Sequence, residues 1–291
     1  MITNQKKAIF YGLSAVFLWS TVASAFKLSL RYLDPTQLLL YASLVSFFIL
    51  FAVIIIQKKF TLIFSFSLRE YLYLFFLGFI NPFIYYLILF KAYDLLPAQE
   101  AQPLNYTWAL TLSYLSVVIL KHRLHKRDVW AGVLCYMGVM IISTHGDLFN
   151  FSFTSIEGVF LALFSTILWS LYWLYNAKLH VDPVVGLFIN FASALPFIFL
   201  WTLLFSDPFT VNIYGLLGAR YVGFFEMGLT FVLWLNAIKL STNASQVANL
   251  IFISPFISLF LISFIVGETI LLSTFIGLIF IIIGLVIQQK K

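Results

Sequence analysis

The chain reads as an all-α polytopic membrane protein, its ten transmembrane helices arranged as two inverted five-helix repeats. Three observations lead there: a composition too apolar for water, apolar runs of membrane-crossing length, and motifs that recur in order in the two halves. Of the 291 residues, 62% are hydrophobic and 10% charged, with a mean hydropathy of +1.02. Soluble domains carry about 25% charged residues, so a water-soluble fold is excluded. No extramembrane run is long enough to fold alone, which leaves one membrane domain over 1–291. The single cysteine, Cys135, lies in an apolar run and cannot close an intrachain disulfide.

About 20 apolar residues cross a hydrocarbon core of roughly 30 Å. The first segment, 8–28, follows Lys6 and Lys7 but is too long for a signal peptide and lacks a small-residue cleavage site, so it reads as a retained helix. The second, 37–56, starts after Asp34-Pro35, and the third, 70–91, carries Asn81-Pro82 in mid-span. The fourth, 98–120, opens with the polar run from Ala98 to Thr111, and the fifth, 128–145, contains Gly132 and Gly138. The second set runs 156–177, 184–205 after Asp182-Pro183, 214–238 around Glu226, 244–266 with Asn243, Ser245, Gln246 and Asn249 at its head, and 270–287 with Gly277 and Gly284. Those glycines permit close helix contacts, within a monomer or across a homodimer.

An even number of spans puts both termini on one side, and the cations choose which. With the termini cytoplasmic, 13 of the 17 Lys and Arg residues fall inside and four, Lys27, Arg31, Lys91 and Arg220, fall outward. The run from Lys121 to Arg127 is then a topology anchor before it is an anionic-lipid or nucleic-acid site, and no nucleic-acid partner is expected. The expected location is the inner membrane.

Leu18-Trp19-Ser20 recurs as Leu168-Trp169-Ser170, and Asp34-Pro35 recurs as Asp182-Pro183. Gly78, Ala92, Leu95 and Gly132 meet Gly223, Ala237, Leu240 and Gly277 at a constant offset of 145. Repeats of 8–145 and 156–287 follow. Five helices per copy is odd, so the second copy enters from the opposite side, the arrangement of alternating-access carriers with a site near the midplane.

Two five-helix repeats, the tryptophan-bearing first helices, the polar start of the fourth and the Gly267-Glu268 pair after the ninth resemble the EamA-type transporters of the drug/metabolite transporter superfamily. Leu18-Trp19-Ser20-Thr21, Ala98-x-Glu100 with Asn105-Tyr106-x-Trp108, and Asn236 with Asn243 and Pro255 are most similar to the bacterial aromatic amino-acid exporters. The resemblance implies a basket of ten helices around a cavity, with the fifth and tenth peripheral. Lys121-His122 stands where the second repeat has Gly267-Glu268, and the fourth helix lacks a mate for Pro255, although Pro103 offers another bend.

The candidate substrate-binding residues are Glu226, Asn81, Glu100, Asn105, Trp108, Trp19, Trp169, Tyr172, Asn249 and Arg220. Glu226 lies roughly 18 Å into the core at 1.5 Å per residue, where a carboxylate must be neutral, paired or hydrated. At the offset of 145 its mate is Asn81. Either Glu226 meets a substrate amine or a coupling proton, or it pairs structurally with a cation such as Lys27; Arg220, six residues away, is on another face of the helix. Glu100 is equally an acid at a helix start, stabilised by the dipole and solvated at the outer face. Asn105, Asn249 and their polar neighbours line a path or bond helices together. Arg220 holds an anionic group or snorkels, and the tryptophans either stack on substrate or pack.

Soluble-enzyme motifs are missing: there is no phosphate-binding glycine loop, no paired zinc ligands and no Ser/His/Asp set, with His122, His125, His145 and His180 in or beside loops. No enzyme activity, cofactor or metal is expected. The reading is a secondary exporter of small metabolites, amino acids first, with the bilayer and a small molecule as partners. The alternatives are a carrier of a nucleotide-like or sulfonium metabolite and a non-transporting scaffold.

Overall fold

The computed structural model describes residues 4–119, 126–147, 153–176, 178–179, 181–210, 212–241, 247 and 249–289. The basic run at 121–125, His180, Asn243, Ser245, Gln246 and the C-terminal lysines lie outside the described residues. Within them all regular structure is helical: α1 (Gln5–Ser29), α2 (Pro35–Ile56), α3 (Leu68–Gly78), α4 (Tyr85–Leu95), α5 (Ala98–Tyr106), α6 (Trp108–Ile119), α7 (Lys126–Ser143), α8 (Ile156–Asn176), α9 (Pro183–Phe205), α10 (Ile213–Tyr221), α11 (Thr230–Leu240), α12 (Ser254–Leu261) and α13 (Leu272–Gln289). Among the described residues six runs are long and apolar enough to cross a membrane: Gln5–Ser29, Pro35–Ile56, Leu68–Leu95, Ile156–Asn176, Pro183–Phe205 and Ile213–Trp234. Leu250–Val266 and Leu272–Gln288 are shorter apolar helices, and helix also fills the expected fourth and fifth segments.

The surface is built for lipid. Phe10, Phe48, Trp130, Phe160 and Phe264 are exposed, while Ser20, Ser43, Ser46, Ser165 and Ser170 are fully buried. Hydrocarbon supplies no hydrophobic drive between helices, so small and hydroxyl side chains mark the contacts.

The chain forms two compact units that cut across the expected repeats: 1–83 with 180–261, and 84–179 with 262–291. In the first unit α2 and α9 are antiparallel, and each begins on an Asp-Pro pair whose reason is visible. Asp34 Oδ1 accepts from the amides of Thr36 at 2.8 Å and Gln37 at 3.1 Å, and Asp182 Oδ1 from those of Val184 at 3.0 Å and Val185 at 3.3 Å. Proline follows each cap, where the missing N–H costs nothing. Each cap also holds the far end of the other helix: Ser206 donates to Asp34, and Lys59 Nζ donates to Asp182 Oδ2 at 2.7 Å. Burial pushes the Asp182 carboxyl up, but Lys59 and the two amides more than offset it and hold it below the usual carboxylate range. On the same face α3 meets α9 at Gly78, where an added Cβ would lie 2.4 Å from the Asn190 carbonyl oxygen, so only glycine allows the approach.

In the second unit α7 and α13 pair antiparallel through glycine. A Cβ on Gly138 would lie 2.4 Å from the Gly277 carbonyl oxygen, and one on Gly277 would lie 2.6 Å from that of Gly138. The two backbones are thereby brought close together, with Cys135 Sγ donating to the Ile281 carbonyl at 3.4 Å. Trp130, on the outer side of α7, is largely exposed, as a lipid-facing ring should be.

Candidate functional site: interrupted helices and buried polar groups

Two of the runs that carry candidate residues are broken where those residues, Asn81 and Glu226, sit. Between α3 and α4 the backbone widens into a π turn over Phe79–Ile84, with Asn81 at a non-helical φ of −144° and ψ of 116°. Pro82 follows and contributes no N–H. Asn81 is 2% exposed, and its Oδ1 has no hydrogen-bond partner among the described residues. Between α10 and α11 a second π segment spans Val222–Leu229 and carries Glu226, which is 8% exposed. Hydroxyls take the carbonyls that the wide turn releases: Ser46 Oγ donates to the Met227 oxygen at 2.9 Å, and Thr230 donates to that of Phe225. Single π turns inside α-helices are frequent at functional sites. The helices beyond the two breaks, α4 and α11, have the same bounds at the offset of 145.

The other polar segments are interrupted too. The polar run at Ala98 breaks at Thr107 between α5 and α6, four residues past Pro103, and a short 3₁₀ turn over Asn249–Ile253 precedes α12. Asn249 is placed by its backbone alone; its side chain is outside the described atoms.

In the first unit Trp19 leans on α11, its ring 5.9 Å from Phe231 at 88° and 5.4 Å from Trp234. Its neighbour Ser20 lies 3.1 Å from Ser254 Oγ at the start of α12, and Thr21 Oγ1 lies 2.7 Å from the Tyr221 hydroxyl. Arg220 is exposed, on a helix face with Leu217, Tyr221, Phe224 and Phe225 that lines an open pocket of about 280 Å³.

In the second unit Trp169 makes the corresponding contacts. Its ring lies 4.8 Å from Tyr85 of α4, 6.4 Å from Trp108 of α6 and 6.3 Å from the buried Tyr172. Ser170 Oγ donates to the Trp108 carbonyl at 3.1 Å, and Asn105 Nδ2 donates to Ser165 Oγ at 3.0 Å. Asn105 and Trp108 therefore share the face that meets α8, as their spacing of three residues predicts.

Glu100 departs from the solvated helix-start expectation. It is 1% exposed, and its Oε1 accepts from Thr154 Oγ1 at 2.9 Å and lies 2.9 Å from His145 Nε2. The first amides of α5 are taken instead by Glu268, whose carboxylate accepts from Ala98 at 2.8 Å and Gln99 at 3.0 Å. The Gln99 side chain completes the joint, donating to the Thr269 carbonyl at 2.9 Å and accepting from the Leu271 amide at 2.9 Å. Glu268, His145 and Thr154 were not among the sequence candidates. The Gly267-Glu268 pair was the one signal, and Gly267, at a φ of +82°, makes the turn that aims the carboxylate. Among the described residues no three His, Cys, Asp or Glu side chains converge as a metal site.

A model of the EamA-like transporter family matches residues 6–144 and 156–288. An "Uncharacterized transporter" of Clostridium kluyveri is 26% identical over 180 residues, 60% of this chain and 57% of its own length. An "Uncharacterized transporter in sor 3'region" of Acidianus ambivalens is 28% identical over 175 residues, 58% of this chain and 66% of its own. The chain thus matches under two thirds of the length of either relative. A solved crystal structure of another protein shares the fold, with a TM-score of 0.69 over 98% of this chain and 97% of that one at 20% identity.

Proposed function

Since the chain belongs to the EamA-like transporter family, a family of multi-pass membrane transporters of small molecules, we propose that it is a secondary exporter of amino acids in an inner membrane. Ten helices in two inverted repeats alternate in access, with both termini cytoplasmic. The observation that carries the reading is the pair of π breaks, which hold a buried amide, Asn81, and a buried carboxylate, Glu226, at repeat-equivalent positions of membrane-length runs. A broken helix at membrane depth is tolerated where it lines a cavity.

In this reading Glu226 meets the substrate ammonium and Asn81 contributes a hydrogen bond. Trp19 offers a ring face and Arg220 attracts the carboxylate; within the second unit Trp108, Trp169 and Tyr172 offer ring faces and Asn105 an amide. The aromatic set makes phenylalanine and tryptophan the first substrates to try. Proteoliposomes loaded with unlabelled tryptophan should accumulate radiolabelled tryptophan by counterflow, and Glu226→Gln should lower that exchange about 100-fold. If neither tryptophan nor phenylalanine exchanges, the aromatic amino-acid assignment fails.

One observation favours a second substrate class. The exposed Arg220 beside a pocket of about 280 Å³ fits the phosphate of a nucleotide-like metabolite, which a planar guanidinium binds with two parallel bonds. Counterflow of a labelled adenosyl or phosphorylated compound, lost in Arg220→Gln, would replace the amino-acid reading.

A further inference from the structure

The second unit holds a polar cluster around Glu100. Glu100 Oε1, Thr154 Oγ1 and His145 Nε2 form a closed triangle with sides of 2.9, 2.9 and 3.0 Å. Its members differ in access to water. Glu100 is 1% exposed, whereas the His145 side chain is 34% exposed. The second carboxylate oxygen of Glu100 is buried and has no hydrogen-bond partner among the described residues. The helix end does not account for this carboxylate, because Glu268 already satisfies the Ala98 and Gln99 amides.

A buried carboxylate with one open oxygen, touched by an imidazole that reaches water, is a place for a proton. Imidazole is the side chain that changes charge between pH 5 and 8. Among the described residues the other charged groups at this end of the unit are Asp147 after α7, Glu157 in the first turn of α8, and the Lys91–Asp94 pair in α4, closed on itself at 2.8 Å. Lys91 is the only cation among them, and it is held by Asp94.

We propose that Glu100, His145 and Thr154 form a proton-binding site whose occupancy ties the ends of the α7–α8 connection to the start of α5. With the proton bound, His145 is an imidazolium that donates a charge-assisted bond to the Glu100 carboxylate, and Thr154 donates a second bond to the same oxygen. With the proton lost to water, His145 is neutral and the tie weakens by the difference between charged and neutral hydrogen bonds. Thr154 has no charge to lose and positions the chain. In the orientation proposed above the site faces outward, where it would read external pH; the proton site itself does not depend on which metabolite is carried.

Hydrogen exchange of the full chain in nanodiscs, corrected for the intrinsic pH dependence of exchange, tests it without any transport. Between pH 6 and 8 the amides of 98–102 and 153–159 should lose about tenfold in protection in the wild type, the equivalent of about 1.4 kcal/mol. His145→Gln and Glu100→Gln should both flatten that pH dependence, while Thr154→Ala lowers protection but keeps it. Circular dichroism separates these results from a failure to fold. Protection that does not change with pH in the wild type, or that keeps its profile in His145→Gln, overturns the proposal. Tryptophan counterflow that fails while the pH effect persists would sink the amino-acid reading alone.

Discussion

Trp19-Ser20 and Trp169-Ser170 do the same thing in the two compact units, while the polar groups around them differ. In the first unit the tryptophan leans on α11 and the serine meets the start of α12; in the second, the tryptophan leans on α4 and the serine meets the start of α6. Small hydroxyls and ring edges thus set the packing twice. The buried carboxylates among the candidates are set differently: Glu226 within a π segment in mid-run, Glu100 at a helix end beside a histidine that reaches water. The helix packing is duplicated, and the ionisable chemistry is not.

The largest expected effect breaks the comparison at its charged member. Glu226→Gln should lower exchange in proteoliposomes by about 100-fold, roughly 2.7 kcal/mol of barrier, and Asn81→Ala by about tenfold, with both proteins folded. Equal effects from the two would mean that the repeat mates share one role.

Next come the glycine contacts. Gly138→Leu and Gly277→Leu should each lower stability by about 1–3 kcal/mol or more through overpacking, seen as a lower thermal midpoint in detergent. Gly78→Leu probes the same effect in the first unit, where a Cβ would lie 2.4 Å from a carbonyl oxygen. A tolerated leucine at any of the three would show that the backbones can separate.

Ser20→Ala and Ser170→Ala should each cost about 0.6 kcal/mol, the average for a hydrogen bond between helices in a membrane, and the two costs should agree within a few tenths. A large inequality would show that one of the two packings matters more than its copy.

The smallest effect is at the α2–α9 tether, where Lys59→Met should cost about 0.2–1 kcal/mol. The Asp182 carboxyl is held below its usual range when folded, so its contribution is complete above the unfolded value near pH 4 and is lost as pH falls through the lower folded value. The difference in thermal midpoint between wild type and Lys59→Met should therefore shrink toward pH 3.

Much of this organisation is legible along the chain. The Asp-Pro pairs announce α2 and α9 because an aspartate side chain can satisfy two orphan amides that a following proline leaves open. α4 and α11 have the same bounds at the offset of 145 along the chain. Glu100 is the instructive miss. Sequence places it in the first turn of a helix, where an acid is ordinarily solvated, and nothing local reveals that Glu268, 168 positions later, already caps that helix. His145 and Thr154 were invisible for the same reason: a loop histidine and a threonine before a helix are common, and only their meeting at one oxygen distinguishes them.

The sequence by itself determined what local chemistry and solvent decide. Its apolar content demands hydrocarbon, its apolar run lengths match a bilayer, and its caps and prolines mark where helices begin and break. Only the tertiary structure decided which helices meet, that each compact unit is drawn from both halves of the chain, and that the acid of Gly267-Glu268 serves α5. The physical reason is that capping and helix propensity act over a few residues, whereas a hydrogen bond between distant segments depends on two backbones arriving together.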